Sequence, residues 1–321
     1  MITRVLARWP VAGLVAGLLL PGGWPLAASQ RTQERAADEE RIVRTLSVSD
    51  GDVLELHNIG GDVTITGTSG NELHIEALKR GRRRRDARES LDATEVQIAQ
   101  RATRVEVRTR TRRGRRSQAS VDYTLRVPAG MVLDVHSVSG NLKVTDVSGR
   151  AALRAVSGDI VASGLKQLDA AETLSGHVRI SSSTATDASV KTTSGDITLS
   201  DLTANSLKTN TVSGEVRLTN LAATWLEATS LSGDIEFSGT LSRTGRYKLG
   251  SHSGHVRFRP SDTAGFELTA GSFSGSVHSD LPIATRNISG GPGRRNLQGT
   301  VGDGGASVEL TTFSGDITLL K

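Results

Sequence analysis

The sequence predicts an all-β protein, a single-stranded β-solenoid (β-helix) of roughly 19-residue coils preceded by an N-terminal β region. The first observation is a series of nine Ser-Gly pairs, from residues 139–140 to 314–315, spaced at intervals of 18, 18, 19, 19, 19, 21, 21 and 40 residues. A period near 20 residues is typical of stacked units that cannot each bury an apolar face alone. The second is the alternation of apolar and polar residues after each pair, as in residues 194–199, Ser-Gly-Asp-Ile-Thr-Leu, which indicates a half-buried strand.

Composition is the third observation. Glycine accounts for 35 of the 321 residues, hydrophobic residues for 36% and charged residues for 23%, so the chain can bury a core and is not wholly disordered. Cysteine is absent, which excludes disulfides, thiolate metal sites and cysteine nucleophiles. Aromatic residues make up only 3% of the chain.

The N-terminus predicts export. Residues 1–29 form a signal peptide in this interpretation, because Arg4 and Arg8 precede the apolar run 11–20, and small residues at 27–29 follow it. An uncleaved anchor is the alternative, although a membrane span needs about 20 apolar residues. We expect the mature protein in the periplasm, the cell envelope or the extracellular space. Residues 30–41 are polar and predict a linker.

The N-terminal β region is predicted over residues 42–136. Short alternating segments separated by turns indicate seven strands. These are Asp52–His57, Gly61–Thr66, Glu72–Lys79, Glu95–Gln100, Thr103–Thr111, Val121–Val127 and Met131–His136. The two arginine-rich runs, Arg80–Arg88 and Arg110–Arg116, fall between strands and predict loops.

These two runs give the chain one cationic block. Residues 79–116 contain fifteen Lys/Arg and five Asp/Glu, a local net charge of +10, whereas the whole chain has +5. The block predicts contact with a phosphate-rich anionic component of the envelope, including peripheral contact with a membrane. A solvated loop without a partner is the alternative, and nucleic acid is not expected because aromatic residues are not interleaved. The candidate contact residues are Arg80, Arg82, Arg83, Arg84, Arg85, Arg88, Arg110, Arg112, Arg113, Arg115 and Arg116.

The solenoid is predicted over residues 137–321, with a glycine at one corner of each coil, where it permits a positive φ or a close backbone approach. The predicted corners are Gly140, Gly158, Gly176, Gly195, Gly214, Gly233, Gly254, Gly275 and Gly315. The last interval of 40 residues predicts two successive coils, with residues 282–305 looping out. The strand that ends near Lys321 would then leave a terminal edge free to pair with another copy.

The residue after each corner glycine should form a column along the solenoid. Its members are Asn141, Asp159, His177, Asp196, Glu215, Asp234, His255, Ser276 and Asp316. Calcium binding and an acid–base or zinc site at Asp159, His177 and Asp196 are two interpretations. We favour a third, in which these side chains bond the local backbone at a turn. We therefore predict no catalytic residue, metal ligand or cofactor.

The order of motifs resembles a known family, the bacterial adhesin-type envelope proteins called DUF4097. The motifs are Asn-Ile-Gly-Gly-Asp-Val-Thr-Ile at 58–65, Val-Asp-Tyr at 121–123, Val-Pro-Ala-Gly at 127–130, the Ser-Gly-Asp-Ile repeats, Val-Gly-Asp-Gly at 301–304 and Thr-Phe-Ser-Gly-Asp-Ile at 312–317. The resemblance covers about residues 42–321. It implies a β-helical fold and an envelope location, and it carries over no catalytic residue. The arginine-rich runs depart from the family pattern.

Three function classes follow from these expectations. The favoured one is a non-enzymatic exported scaffold or binding protein of the envelope, whose partner is an anionic envelope component or another envelope protein. The second is a polysaccharide-active enzyme, which would need a carboxylate pair and aromatic side chains that stack on sugars. Phe258, Phe273 and Phe313 are instead expected in the core or at corners, and Trp225 at the surface or a corner. The third is an envelope-stress accessory factor that acts through a protein partner. Oligomeric state does not follow from the sequence.

Overall fold

A computed structural model describes residues 31–35, 38–81, 87–112, 119–261, 265–289 and 295–321. It confirms the all-β solenoid. The first strands are β1 (Arg31–Arg35), β2 (Glu39–Ser47), β3 (Val53–Asn58), β4 (Val63–Thr68), β5 (Glu72–Arg80), then helix α1 (Ala87–Ala93), β6 (Thr94–Arg101), β7 (Arg104–Thr111), β8 (Ser120–Pro128) and β9 (Val132–Ser139). The seven strands predicted between residues 52 and 136 correspond to β3–β9.

The repeat region contributes the remaining strands. They are β10 (Leu142–Thr145), β11 (Arg150–Ser157), β12 (Ile160–Ser163), β13 (Gln167–Ser175), β14 (Val178–Ser194), β15 (Ile197–Ser213), β16 (Val216–Ser232), β17 (Ile235–Ser253), β18 (Val256–Pro260), β19 (Phe266–Ser274), β20 (Val277–Ser279), β21 (Ile283–Ser289), β22 (Arg295–Val301), β23 (Ala306–Ser314) and β24 (Ile317–Leu319). The long strands β14–β17 each run around most of one coil.

Successive coils stack in parallel and in register. Ile197 is the partner of Val178 in the coil before it and of Val216 in the coil after it. All three side chains are fully buried, because the alternation of apolar and polar residues directs every second side chain inward. The core is therefore a continuous stack of buried apolar side chains enclosed by the strands.

The N-terminal β region continues the same solenoid rather than forming a separate unit. Strand β3 pairs in parallel with β9 and β7, and β4 pairs in parallel with β10 and β8. The predicted boundary at residues 136 and 137 is thus not a break in the sheet. Antiparallel strands then finish this end, with β6 on β7 and the series β5, β2 and β1 on β8.

We call β1, β2, β5, β6 and α1 the N-terminal cap. Helix α1 packs against β2, β5 and β6 and buries Leu91 completely. The segment 30–41, predicted as a linker, contains β1 and the start of β2, which have partners in the sheet. Part of the predicted loop Arg80–Arg88 is the start of α1.

The C-terminal coil is not the last in space. Strand β23 lies between β17 and β19, and β24 lies between β18 and β20, so the end of the chain is inserted between two earlier coils. The predicted sequential stacking is therefore wrong. The predicted free edge beside Lys321 is also wrong, because β24 has a partner on both sides. Antiparallel β22 and β21 cover the outer edge of β19.

Candidate functional site

The Ser-Gly corner is built by close stacking of backbone. Gly195 has a φ of 145°, and a Cβ placed on it would lie 2.1 Å from the carbonyl oxygen of Gly176. Gly195 N–H donates to the carbonyl of Ser213 in the next coil at 2.9 Å. Only glycine satisfies both the positive φ and the contact between coils. The other predicted corner glycines show the same close approach to the neighbouring coil.

A buried hydroxyl donates to the glycine carbonyl at seven of the nine predicted corners. Thr211 Oγ1 donates to the carbonyl of Gly195 at 3.2 Å, and Thr192 Oγ1 donates to that of Gly176 at 3.0 Å. Serine at position 230 serves Gly214 in the same way. The repeated unit is therefore Ser/Thr-x-Ser-Gly, and its first residue removes the cost of a buried carbonyl without a donor.

The column after the corner glycines is a hydrogen-bonded ladder. His177 N–H donates to Asp159 Oδ1 at 2.8 Å, Asp196 N–H to His177 Nδ1 at 3.0 Å, and Glu215 N–H to Asp196 Oδ1 at 2.9 Å. His255 continues the pattern by accepting from Asp316 N–H at 3.1 Å. Most of these side chains thus accept from the backbone of the next coil, whereas the sequence interpretation that we favoured had them bond the local backbone at a turn.

The chemistry of this ladder follows from its hydrogen bonds. Because Nδ1 of His177 accepts, the neutral ring carries its proton on Nε2. At the C-terminal end, the hydroxyl of Ser276 and then its backbone N–H donate to Asp316, which lowers the pKa of that carboxyl. In the described part of the chain, no group of three or more His, Asp or Glu side chains is placed to hold a metal ion.

Charged side chains on the outer faces of the solenoid are paired between coils. Lys208 Nζ lies 3.0 Å from Glu227, and Lys191 Nζ lies 3.1 Å from Glu172. Such exposed pairs contribute little to stability, but they balance the charge along the rod. The solenoid therefore carries no large field of one sign on these faces.

The two arginine-rich runs begin and end at the N-terminal cap. Arg112 N–H donates to the carbonyl of Ala93 at 2.8 Å, and Ala119 N–H donates to Thr94 Oγ1 at 3.0 Å. A Cβ on Gly81 would lie 2.7 Å from Ala87, so the ends of the first run also meet beside α1. The ends of both runs are thus anchored on elements of one cap.

Four of the predicted contact residues are described, and all four are exposed. Arg80 pairs with Asp122 and Glu39, whereas Arg88 lies on α1, and Arg110 and Arg112 lie at the end of β7 and just after it. The other predicted members fall outside the described residues. They are Arg82, Arg83, Arg84, Arg85, Arg113, Arg115 and Arg116.

A buried ion pair supports the base of the cap. Lys79 Nζ lies 2.7 Å from Glu40 Oε2, and the two side chains are only 6% and 8% exposed. The pair joins β5 to β2 next to the first arginine-rich run. The sequence interpretation missed it because Glu40 fell in the predicted linker.

An exposed apolar column is the main feature that the sequence interpretation missed. The residue before each Ser-Gly pair points outward, and seven of these nine residues are apolar and 46–55% exposed. In spatial order, the members of this apolar column are Val138, Val156, Leu174, Thr193, Val212, Leu231, His252, Phe313 and Phe273. Reading the position before Ser-Gly as a column of its own would have revealed it.

Two members of the apolar column, Phe273 and Phe313, were expected in the core or at corners, and that expectation of burial is wrong. Phe273 and Phe313 are 53% and 47% exposed, whereas Phe258 is fully buried as expected, and Trp225 is 37% exposed. The ring of Phe313 stacks on Phe273 at 4.7 Å and on His252 at 4.8 Å between centroids. Stacking covers both faces of the Phe313 ring.

The fold and these features define an all-β solenoid protein with a cationic cap. The sequence matches the family model described as Toastrack DUF4097 over residues 52–320, so the chain belongs to that family. A comparison with curated proteins gives no match. Within the described residues, no helix has the length and apolar character that crossing a membrane requires.

Solved structures give distant likenesses. A protein named a "putative adhesin" from Parabacteroides distasonis is 11% identical with a TM-score of 0.49, and the alignment covers 87% of this chain and 97% of that one. A "putative lipid binding protein" from the same species is 10% identical with a TM-score of 0.47, covering 88% and 97%. A "putative adhesin" from Bacteroides fragilis is 14% identical with a TM-score of 0.43, covering 87% and 97%. Such likeness does not transfer a ligand to this chain.

Proposed function

We propose that this protein is an exported, non-enzymatic binding protein of the cell envelope, which contacts an anionic envelope surface through the arginine-rich runs of its N-terminal cap. The observation that carries the proposal is the anchoring of both runs on one cap. Arginine is well suited to phosphate groups because its planar fork donates two parallel hydrogen bonds. The solenoid acts as the rigid body that carries this cap.

Charge distribution supports the cap rather than the solenoid as the contact. The block at 79–116 has a net charge of +10, so the rest of the chain has −5 against the total of +5. Lys and Arg on the solenoid faces lie beside carboxylates of neighbouring coils. An anionic surface is therefore attracted mainly by the cap.

An enzyme acting on polysaccharide receives no support from the site. Asp159 and Asp196 accept backbone N–H groups within the ladder, which is a structural use of these carboxylates. The exposed ring of Phe313 has both faces covered, so a sugar cannot stack on it. The comparisons likewise give no positive evidence for an enzyme.

The test is binding of the full-length chain to vesicles, after expression and export in a bacterial host. Phosphatidylcholine vesicles with and without phosphatidylglycerol are compared across a salt series. The variant replaces with Gln the seven arginines at 82–85, 113, 115 and 116. Each basic residue near an anionic surface contributes about 1 kcal/mol, so the variant should bind at least roughly a hundredfold more weakly.

A matched control removes the same amount of charge from the solenoid. It replaces seven basic residues with Gln, namely Lys143, Arg179, Lys191, Lys208, Arg217, Lys248 and Arg257. We expect this control to keep salt-sensitive binding to phosphatidylglycerol. Equal binding by the native chain and the cap variant, or no binding by either, would contradict the proposal.

A further inference from the structure

The apolar column is large for an apolar patch on the surface of a monomer. Its nine positions span eight coil spacings of about 4.8 Å, or about 38 Å. Half-exposed Val, Leu and Phe side chains each offer roughly 70–120 Å² of apolar area, so the seven apolar members offer about 600 Å². This reaches the upper end of the largest patch on a typical monomer, which is about 300–600 Å².

The dimensions of the column select the kind of partner. A rigid surface that repeats an apolar group at the same coil spacing over the same length can contact every member at once. A second copy of this chain has that spacing and that length. A specific protein interface buries about 800 Å² on each partner, and the column with its adjacent exposed serines approaches that area.

Charge beside the column argues against a lipid surface at this position. The ladder after the corner glycines contains carboxylates at Asp159, Asp196, Glu215, Asp234 and Asp316, only three residues from the column. Basic side chains pair with part of this ladder, such as Arg217, 2.6 Å from Glu215, so the ladder offers anionic headgroups no attraction.

The size gradient along the column determines the orientation. Val138 and Val156 stand at one end and Phe313 and Phe273 at the other. Two rigid rods in parallel would set phenylalanine against phenylalanine and leave a gap between the valines. Antiparallel packing sets each phenylalanine against a valine, so the summed volume of facing side chains varies less along the interface. The central member, Val212, then meets its own copy.

We propose that the apolar column is the interface of an antiparallel two-fold dimer of this chain, centred on Val212. The dimer goes beyond the proposed function and does not depend on it. The interface is isologous, as two-fold symmetry requires, with Val138 of one copy against Phe273 of the other. The cationic caps then lie at opposite ends of the dimer.

Because the chain has no cysteine, single cysteines report the arrangement directly. Under mild oxidation, Val212→Cys should form a disulfide-linked dimer in high yield. Val138→Cys alone should not, but an equal mixture with Phe273→Cys should give the mixed dimer. Asn205→Cys, at an exposed site of the same coil outside the column, is the matched control and should remain monomeric on denaturing gels.

Sedimentation measures the association without a cross-link. The full-length chain should sediment as a dimer, Val212→Lys should be a monomer, and Asn205→Lys should remain a dimer. Circular dichroism should show equal folding, because Val212 is 46% exposed. The cap variant with seven arginines replaced should still dimerise, which separates this proposal from the proposed function.

Three outcomes would overturn the dimer. A chain that is monomeric at every concentration is one. Self-cross-linking of Val138→Cys is another, because it would indicate parallel packing. The third is a monomeric chain whose binding to vesicles is lost in Val212→Lys but kept in Asn205→Lys, which would make the column a lipid-contacting surface.

Discussion

Replacement of one corner glycine tests the account of the solenoid. Gly195 lies near the middle of the stack, with a φ of 145° and a neighbouring carbonyl oxygen 2.1 Å from the position of a Cβ. In Gly195→Ala the new methyl group cannot stay there, since carbon and oxygen need more than 3 Å. The corner must move by about 1 Å or abandon its backbone conformation.

The cost can be estimated from three contributions. A residue held in a backbone region reserved for glycine costs about 1–3 kcal/mol. Movement of the corner weakens the bond from Gly195 N–H to Ser213 and the bond from Thr211 Oγ1 to the Gly195 carbonyl, each worth about 1 kcal/mol. The smaller entropy of the unfolded alanine chain offsets about 0.4–1 kcal/mol. We expect a loss of about 2–4 kcal/mol in the free energy of unfolding.

The assay is urea unfolding followed by circular dichroism, with Gly250→Ala as the matched control. Gly250 has an ordinary φ, and a Cβ there would meet only the Thr311 hydroxyl at 3.1 Å. That side chain can turn away, so the control should change stability by less than about 1 kcal/mol. If both variants lose the same stability, close backbone stacking at the corner is not what requires glycine.

Two further predictions concern single interactions. Lys79→Met removes the cation that lies 2.7 Å from the buried Glu40 and should cost about 3–5 kcal/mol in urea unfolding. Adding Glu40→Met should recover much of the loss, and a double variant less stable than the single one would contradict this. Ser276→Ala should raise the pKa of Asp316 toward its ordinary value in an NMR titration, because the main hydrogen bond that lowers it is lost. A pKa that is lower in the folded state than in the unfolded state contributes stability above the unfolded-state pKa, and this stability is lost as pH falls through the folded-state pKa. Because the variant has a smaller lowering of the Asp316 pKa, it should lose less stability than the native chain on acidification. An unchanged midpoint would refute the role of Ser276.

The repeat was predictable because each unit contains the local sequence signals that determine its backbone conformation and its buried face. The Ser-Gly pair requires a special backbone conformation, and the alternation that follows directs Ile197 and Leu199 inward. These are local signals that recur at each coil. The place of Asp196 in a column after the corner glycines also followed, although its bond to Glu215 N–H in the next coil did not.

The capping elements and the inserted coil were not predictable because their positions depend on partners that are distant in sequence. The start of β2 looks like part of a polar linker because its stability comes from pairing with β5 and from the ion pair between Lys79 and Glu40. Likewise, nothing near residues 306–319 indicates that β23 lies between β17 and β19. The spacing of 40 residues fits two successive coils equally well. Contacts distant in sequence decide both features.

The other columns of the solenoid are explained by interactions between coils, whereas the apolar column is not. Gly195 is required by backbone contact, Thr211 by a carbonyl that needs a donor, and Asp196 by an N–H that needs an acceptor. Val212 points to solvent beside them and satisfies none of these needs of the coil. A polar residue would fit there equally well, as Thr193 does in the preceding coil. Because folding does not require apolar side chains at this position, their recurrence in seven of nine coils is better explained by a surface that they contact.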